Sequence, residues 1–241
     1  MAEPELIDDL LHRRSDLGGF IHHFTRGTPA QCEVTLLNIL RGMTLVAANA
    51  WGVARDLDGA TLSTSVTQRT VCFTDMPIEH SWMMVRQIAG RSWNFQPYGV
   101  VFTKAFARVK GCHPIWYVDA VGPPPSMSTA VGRLVEAYRT GITNDPANYQ
   151  LENLDILRLT PFMEWRHAGQ DFVWEREWRH RGNFNFDAPR NVVAVYAPEN
   201  QHLRLRGQIA GLSPDWAART IPILDPKWGS DRILQALSGA G

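Results

Sequence analysis

The positions of hydrophobic residues along the chain predict short strands interspersed with helices. Runs of β-branched and aromatic residues bounded by turn residues predict strands at residues 20–25, 43–48, 70–74, 99–103, 115–118, 172–179 and 192–196. Helices are predicted, mostly from apolar residues three and four apart, at residues 4–14, 32–41, 80–88, 129–139, 151–159, 203–210 and 231–237. Residues 49–68 are polar with no clear period, which predicts a long loop.

The order of these elements indicates a mixed α+β chain. Strands cluster in the first and last thirds with helices between them, whereas an α/β fold would alternate the two regularly. The glycine- and proline-rich residues 122–125 therefore predict the start of a helical insertion, residues 122–160, and not a linker between independent domains. We expect a single domain over residues 1–241, with an N-terminal helical segment at residues 1–19 that could pack on the body or on a partner.

Residues 172–179 carry more charge than an ordinary core strand and more aromatic rings than an ordinary loop. As a strand they would have two unlike faces, namely Phe172, Trp174, Arg176 and Trp178 against Val173, Glu175, Glu177 and Arg179. The second face then holds two carboxylates beside an arginine. Neighbouring anions raise each other's pKa and a cation lowers it, so this face fits either a solvated ion-pair surface or an acid–base site.

Composition and charge narrow the range of functions. The formal net charge is zero, which argues against a broad basic surface that binds nucleic acid. The arginine-rich residues 176–181 and 204–206 could still form a local basic groove. Cys32, Cys72 and Cys112 share no Cys-x-x-Cys spacing, so neither a structural zinc site nor a disulfide framework is expected. No apolar run approaches the roughly 20 residues that span a bilayer, and no signal peptide is visible, so we expect a cytoplasmic protein without membrane contact.

Motifs of several common enzyme classes are missing from the sequence. No GxGxxG follows a strand and GxxxxGK[ST] does not occur, so a Rossmann or P-loop site is unsupported, and neither HExxH nor GxSxG is present. His22 and His23 are adjacent, but neighbouring side chains of a strand point to opposite faces, so one metal ion could not easily take both. A metal site that combines one of them with Glu175 and Glu177 stays an alternative.

The order of several short motifs resembles the ADP-ribosyltransferase superfamily. A strand with His23, Phe24 and Thr25 precedes a helix with LLNILRG, a polar loop, Arg69 before the strand TVCFT, and a late Glu-x-Glu. The opening strand and the strand after Arg69 look most like the DarT kind of toxin, which modifies DNA. The segments FIHHFT, VCFTDMPIEH, YGVVFTK and WEREWR also resemble proteins linked to abortive-infection phage defence, over roughly residues 20–200.

The resemblance implies two small packed mixed β-sheets flanked by helices, with NAD as a substrate and no metal. It implies that His23, Phe24 and Thr25 bind NAD. They would contact the NAD ribose, and their backbone would contact the nicotinamide amide. Glu177 would bond the ribose 2′-hydroxyl and stabilise the oxocarbenium-like transition state, because a pre-placed anion favours developing positive charge. Glu175 would orient or deprotonate the acceptor nucleophile.

Further residues receive roles by the same resemblance. Arg69 would contact the diphosphate or ribose, since a guanidinium suits phosphate oxygens, and its alternative is a surface arginine at a strand edge. Tyr98, with Trp174 or Trp178, would stack on the nicotinamide or adenine ring. Ser63, Thr64 and Ser65 resemble the Ser-Thr-Ser element of arginine-modifying members, but they lie in the polar loop and not at a strand start.

The expected function is transfer of ADP-ribose from NAD to a nucleic-acid base or a protein side chain, by a bacterial toxin or anti-phage effector that an antitoxin could neutralise. One alternative is a non-catalytic binding or antitoxin module, in which Glu177 only pairs with Arg176 or Arg179. Another is a metal-dependent nuclease that uses His23, Glu175 and Glu177. A strand register shifted by one residue would replace His23 by His22.

Overall fold

The computed structural model describes residues 18–59, 66–89, 91, 94–120, 126–145, 155–166 and 172–239. The helix expected at residues 4–14, the Ser-Thr-Ser element at residues 63–65 and the insertion boundary at residues 122–125 lie outside the described residues. Within the described ranges, no helix is long and apolar enough to cross a membrane.

Strands and helices of the described residues are numbered in chain order. The strands are β1 (Phe20–Arg26), β2 (Thr44–Leu45), β3 (Asn49–Ala50), β4 (Arg69–Thr74), β5 (Phe95–Thr103), β6 (His113–Pro114), β7 (Trp116–Asp119), β8 (Met163–Arg166), β9 (Glu177–Arg181), β10 (Phe184–Asn185), β11 (Val192–Tyr196) and β12 (Ile223–Leu224). The helices are α1 (Pro29–Gly42), α2 (Lys104–Val109), α3 (Met127–Asn144), α4 (Asp155–Leu159), α5 (His202–Ala210), α6 (Pro214–Ala217) and α7 (Ser230–Leu237). Short 3₁₀ helices include Gly52–Asp56, Ile78–Met83, Thr160–Phe162 and Val173–Glu175.

These elements confirm the predicted α+β fold class, with a mixed sheet and smaller sheets flanked by helices. The chain forms two compact units. Unit 1 comprises Met1–Met43, Phe73–Ala107 and Phe186–Gly241, and unit 2 comprises Thr44–Cys72 and Arg108–Asn185. Because their segments interleave along the sequence, neither unit is a contiguous domain.

The sheet of unit 1 is centred on β1 and β5. Its strand order is β12-β11-β5-β1 followed by the end of β4, with β11 and β12 parallel and the other pairs antiparallel. Gly99 of β5 lies opposite Phe24 of β1. A Cβ at position 99 would lie 2.3 Å from the carbonyl oxygen of His23, so a glycine is needed for the two strands to pair at this point.

Helix α1 follows β1 through a capping box. The Thr28 side chain accepts a hydrogen bond from the Gln31 backbone N–H, the Gln31 side chain accepts one from the Thr28 N–H, and Pro29 occupies the first turn. The buried face of the helix consists of Cys32, Leu36, Ile39 and Leu40. The helix predicted at residues 32–41 is therefore confirmed and begins earlier. Gly42 is its last helical residue, and Met43 takes the left-handed C-cap conformation with φ 47°.

Unit 2 contains several small groups of paired strands. β3 pairs with the first residues of β4, β9 lies beside β4, and β6 pairs antiparallel with β9. β2 and β10 form an antiparallel pair, and β7 and β8 form a parallel pair. One buried hydrophobic cluster of the unit includes a face of α3 and consists of Val53, Leu57, Val118, Val131, Val135, Tyr138, Leu157 and Met163.

The expectation of one strand over residues 172–179 is wrong. Val173–Glu175 form a 3₁₀ turn, which ends where the Arg176 N–H bonds the Val173 carbonyl, and β9 starts only at Glu177. Arg176 has φ 49°, a left-handed conformation that cannot continue a strand. Glu175 and Glu177 therefore do not share a strand face.

Smaller differences from the sequence predictions concern short elements. The strand expected at residues 43–48 is reduced to Thr44–Leu45, and the helix expected at residues 80–88 is a 3₁₀ helix at Ile78–Met83. The expected loop at residues 49–68 contains β3 and the 3₁₀ helix Gly52–Asp56. Elements of one turn or a single pair are too short to show a hydrophobic period.

Candidate functional site

A buried arginine is the centre of a polar cluster in unit 2. Arg179 is 1% exposed, and its Nε and Nη2 donate to Oε1 and Oε2 of Glu177 at 2.7 and 3.2 Å. Nη2 also donates to Oε2 of Glu164, and Nη1 donates to the carbonyls of Pro161 and Met163 at 3.2 and 3.4 Å. These contacts use all five N–H groups of the guanidinium. We call Arg179, Glu177 and Glu164 the Arg179 cluster.

The alternation of β9 explains why Glu177 and Arg179 meet. Residues two apart on a strand lie on the same face, whereas Trp178 between them lies on the other. Trp178 is 5% exposed, and the Arg108 guanidinium carbon lies 5.5 Å from the centroid of its ring. The packed aromatic residue anchors the strand, and the opposite face presents the carboxylate and the guanidinium.

Glu164 reaches the cluster from β8. It is the register partner of Tyr117 in the parallel β7–β8 pair. Gly52, with φ +55°, lies against it, and a Cβ there would be 2.4 Å from the Met163 carbonyl oxygen and 2.7 Å from Glu164 Oε2. Glycine at position 52 therefore leaves the space in which the Glu164 carboxylate lies.

Burial and charge set the protonation of the neighbouring groups. Burial disfavours the charged Arg179 guanidinium, but the carboxylates of Glu177 and Glu164 raise its pKa on balance, so it stays protonated. Desolvation raises the pKa of the Cys72 thiol, and the charge of Glu177 raises it further. The Cys72 side chain is therefore a protonated thiol and not a candidate nucleophile.

Tyr117 lies near three carboxylates, those of Glu177, Glu175 and Glu164. Its hydroxyl donates to the Phe172 carbonyl at 3.1 Å. Desolvation raises its pKa, and the charges of Glu177, Glu175 and Glu164 raise it further. Glu175 thus lies close enough to Tyr117 to act electrostatically on it, although its place is in the 3₁₀ turn and not on the face of β9.

In unit 1, the two histidines of β1 have different environments. His22 is 1% exposed, its Nδ1 lies 2.9 Å from the Tyr196 hydroxyl, and burial lowers its pKa to about 4. His23 is half-buried, with its ring edge-on to Phe73 at 5.9 Å between centroids. The difference follows the alternation of a strand, and it makes His22 a neutral core residue.

Pairing of β1 with β5 brings together four of the residues assigned to NAD: His23, Phe24, Thr25 and Tyr98. The Thr25 hydroxyl donates to the Tyr98 carbonyl at 2.9 Å. Phe24 stacks on Tyr196 with 4.8 Å between ring centroids. Tyr98 is 4% exposed, and burial followed by the charge of Glu33 raises its pKa. Its ring therefore presents little surface on which a nicotinamide or adenine could stack.

Arg69, at the start of β4 in unit 2, is a partly exposed residue. Its side chain is 42% exposed, and its Nε lies 3.6 Å from a carboxylate oxygen of Asp58. Its carbonyl accepts a hydrogen bond from the Gly182 N–H after β9. A phosphate-binding role for Arg69 stays a prediction, and the geometry equally fits a surface arginine at a strand edge.

Sequence reasoning missed Glu164, and it treated Arg179 only as an ion-pair partner of Glu177. The triplet Glu-Trp-Arg, which occurs at residues 164–166 and again at residues 177–179, could have drawn attention to Glu164 but not to its contact with Arg179. Both copies form strands, which place the glutamate and the arginine of each on one face. Among the described residues, no group of three or more His, Cys, Asp or Glu side chains could hold a metal ion.

No protein-family model, curated protein or solved structure matches this chain. The link to the ADP-ribosyltransferase superfamily therefore depends on the motifs in the sequence, and it stays a prediction. The Glu177–Arg179 ion pair, which the non-catalytic alternative requires, is present. A catalytic carboxylate held by an arginine would show the same pair.

Proposed function

We propose that the protein is an NAD-dependent ADP-ribosyltransferase in which Glu177 is the catalytic carboxylate. The observation that carries the proposal is the way this side chain is held. It is 18% exposed, and each of its oxygens accepts a hydrogen bond from the buried Arg179. A carboxylate has four lone pairs, and the Cys72 thiol also hydrogen-bonds this carboxylate, so the two oxygens together keep an acceptor site for a ligand hydroxyl.

The chemistry requires a fixed anion next to a developing cation. The bond between ribose C1′ and the nicotinamide nitrogen breaks, and nicotinamide leaves with the bonding electron pair. Positive charge then develops at C1′ and the ring oxygen, which a pre-oriented carboxylate in a partly dry site stabilises. Glu177 would also accept a hydrogen bond from the ribose 2′-hydroxyl.

The acceptor completes the reaction by attacking C1′ with a lone pair and giving up a proton. Glu175, whose charge acts on the same Tyr117 hydroxyl as Glu177, is the proposed proton acceptor. The acceptor is proposed to be a nucleic-acid base or a protein side chain. His23, Phe24 and Thr25 of β1 are the proposed NAD-binding residues, and Arg69 and Tyr98 are secondary candidates.

The proposed biological role is that of a toxin or anti-phage effector. Removal of cellular NAD or modification of nucleic acid would both stop growth, so an antitoxin partner is expected. Expression of the wild-type chain should therefore inhibit growth, and Glu177→Ala should relieve the inhibition. Equal growth of the two strains would contradict the toxin role.

Transfer from labelled NAD tests the activity itself. The purified chain is incubated with ³²P-NAD and, separately, with single-stranded DNA, total RNA and lysate protein. We expect label in one acceptor class with the wild type and none with Glu177→Gln. Glu136→Gln, which alters an exposed glutamate of α3 in the same unit, is the matched control and should retain transfer.

A non-catalytic binding or antitoxin module is the second candidate, and the observation behind it is that both carboxylate oxygens of Glu177 already accept hydrogen bonds from Arg179. In that case no acceptor would be labelled and NAD would not bind. Nuclease activity that a chelator abolishes and NAD does not affect would instead support the metal-dependent alternative.

A further inference from the structure

A second carboxylate shares the guanidinium that holds Glu177. Nη2 of Arg179 donates to Oε2 of both Glu177 and Glu164. Glu177 and Arg179 alone would form a formally neutral pair, whereas the cluster with Glu164 carries one net negative charge. A developing oxocarbenium ion near Glu177 would interact with that net charge.

The place of Glu164 is determined by its neighbours in unit 2. Its backbone is in register with Tyr117, and Gly52 leaves the space for its carboxylate. The side chain is 25% exposed, so it can exchange a proton with solvent without leaving the cluster. Glu164 is thus both a member of the ion network and a group that solvent can titrate.

Four charged or titratable groups face Glu164 from the elements around it. They are Arg179 and Glu177 on β9, Arg55 in the 3₁₀ helix Gly52–Asp56, and Tyr117 on β7. Burial raises the pKa of Glu164, and the charge of Glu177 raises it further, whereas Arg179 and Arg55 oppose both effects. On balance Glu164 takes up a proton at a higher pH than an ordinary glutamate does.

We propose that Glu164 is a positioning residue that acts through Arg179. When Glu164 is ionised, it shares the positive charge of Arg179, so the negative charge of Glu177 is not fully neutralised. When Glu164 is protonated on acidification, activity falls. This inference rests on the proposed function. Once Glu164 is protonated, Arg179 neutralises Glu177 alone, and the cluster loses its net charge. The pair then stabilises positive charge at ribose C1′ less well.

The pH dependence of nicotinamide release tests the role of Glu164. Release is measured from pH 4 to pH 9 with NAD in the presence of single-stranded DNA, total RNA and lysate protein. The variants are Glu164→Gln, which keeps an acceptor for Arg179 without the charge, and Glu164→Asp, which keeps the charge. We expect the wild-type rate to fall on acidification around a pKa above the ordinary glutamate value of about 4.3.

In Glu164→Gln this fall in rate should move to lower pH, and the rate at neutral pH should be about tenfold lower, the effect of about 1.4 kcal/mol on the barrier. Glu164→Asp should restore both features in part. A merely structural role would change the melting temperature without moving the pH profile. If Glu164→Gln does not fold, the pH profiles of the wild type and Glu164→Asp test the proposal, since nicotinamide release by both must fall on acidification.

The outcomes separate this inference from the proposed function. An active wild type whose acidic limb lies at the same pH in Glu164→Gln overturns the role of Glu164 and leaves the proposed function standing. A wild type that releases no nicotinamide at any pH overturns both. A limb that Glu164→Gln moves to lower pH, with an unchanged melting temperature, supports both.

Discussion

Replacement of Arg179 by methionine should destabilise the protein strongly. Methionine fills much of the space of the arginine stem but cannot donate, so two largely buried carboxylates lose their common cation. Breaking a buried ion pair in this way typically destabilises by about 3–5 kcal/mol. The carbonyls of Pro161 and Met163 also lose their Arg179 donor, which adds roughly 1 kcal/mol for each carbonyl that water does not reach.

Partial hydration limits the expected loss. Glu177 and Glu164 are 18% and 25% exposed, so water can reach part of each carboxylate. We therefore expect the free energy of unfolding, measured by urea denaturation, to fall by about 3–5 kcal/mol in total. Arg166→Met is the matched control, because Arg166 pairs with Asp119 while their side chains are 42% and 60% exposed. An exposed pair of this kind contributes about 0–1 kcal/mol.

A second substitution, Glu177→Gln, tests the ion pair itself, because its expected effect on stability differs between the wild type and the Arg179→Met background. In the wild type, Glu177→Gln removes an ion pair and should destabilise. In the Arg179→Met background, the same change removes an uncompensated carboxylate and should be neutral or stabilising. The account of the cluster would be refuted if Arg179→Met unfolds within about 1 kcal/mol of Arg166→Met, or if Glu177→Gln has the same effect in both backgrounds.

Two other predictions concern unit 1. His22 should stay neutral in the folded protein down to about pH 4, while the unfolded chain protonates it near its ordinary pKa of 6.5. The free energy of unfolding should therefore fall as the pH drops from 6.5 towards 4, by up to about 1.4 kcal/mol per pH unit from this residue. In urea titrations His22→Gln should reduce that slope. An unchanged slope would contradict the assignment. Gly99→Ala should lower the melting temperature, because a Cβ would lie 2.3 Å from the His23 carbonyl oxygen. Gly132→Ala lies inside α3, where the added Cβ would have no atom within 4 Å other than its chain neighbours and the backbone of its own helix. It should leave the melting temperature unchanged or raise it, and equal shifts in the two variants would refute the close approach.

The longer elements of the fold could be predicted from local sequence. β1, β4, β5 and β11 are runs of β-branched and aromatic residues, and their periodicity does not depend on distant contacts. Helix α1 was predicted from its apolar residues three and four apart. Short 3₁₀ turns have no period, so nothing in the sequence distinguishes them from loops.

The candidate site could be predicted only in part. The carboxylate Glu177 and its neighbour Arg179 were found, because residues two apart on a strand share a face. The left-handed backbone conformation of Arg176 was not predicted, since only glycine marks such a conformation clearly in a sequence. Glu164 joins the cluster through the guanidinium of Arg179, a contact between two strands that no local pattern specifies.

Nicotinamide release from NAD by purified protein, with single-stranded DNA, total RNA and lysate protein present, tests the central claim most directly, because it does not depend on which of them is the acceptor. The account predicts that the wild type releases nicotinamide and that Glu177→Gln is slower by a factor of about 10²–10³, as is typical when one stabilising group is removed from a transition state. Glu136→Gln, with an unchanged fold by circular dichroism, should match the wild type. Release at the same rate by the wild type and Glu177→Gln, or none by the wild type, would contradict the assignment of Glu177 as the catalytic carboxylate.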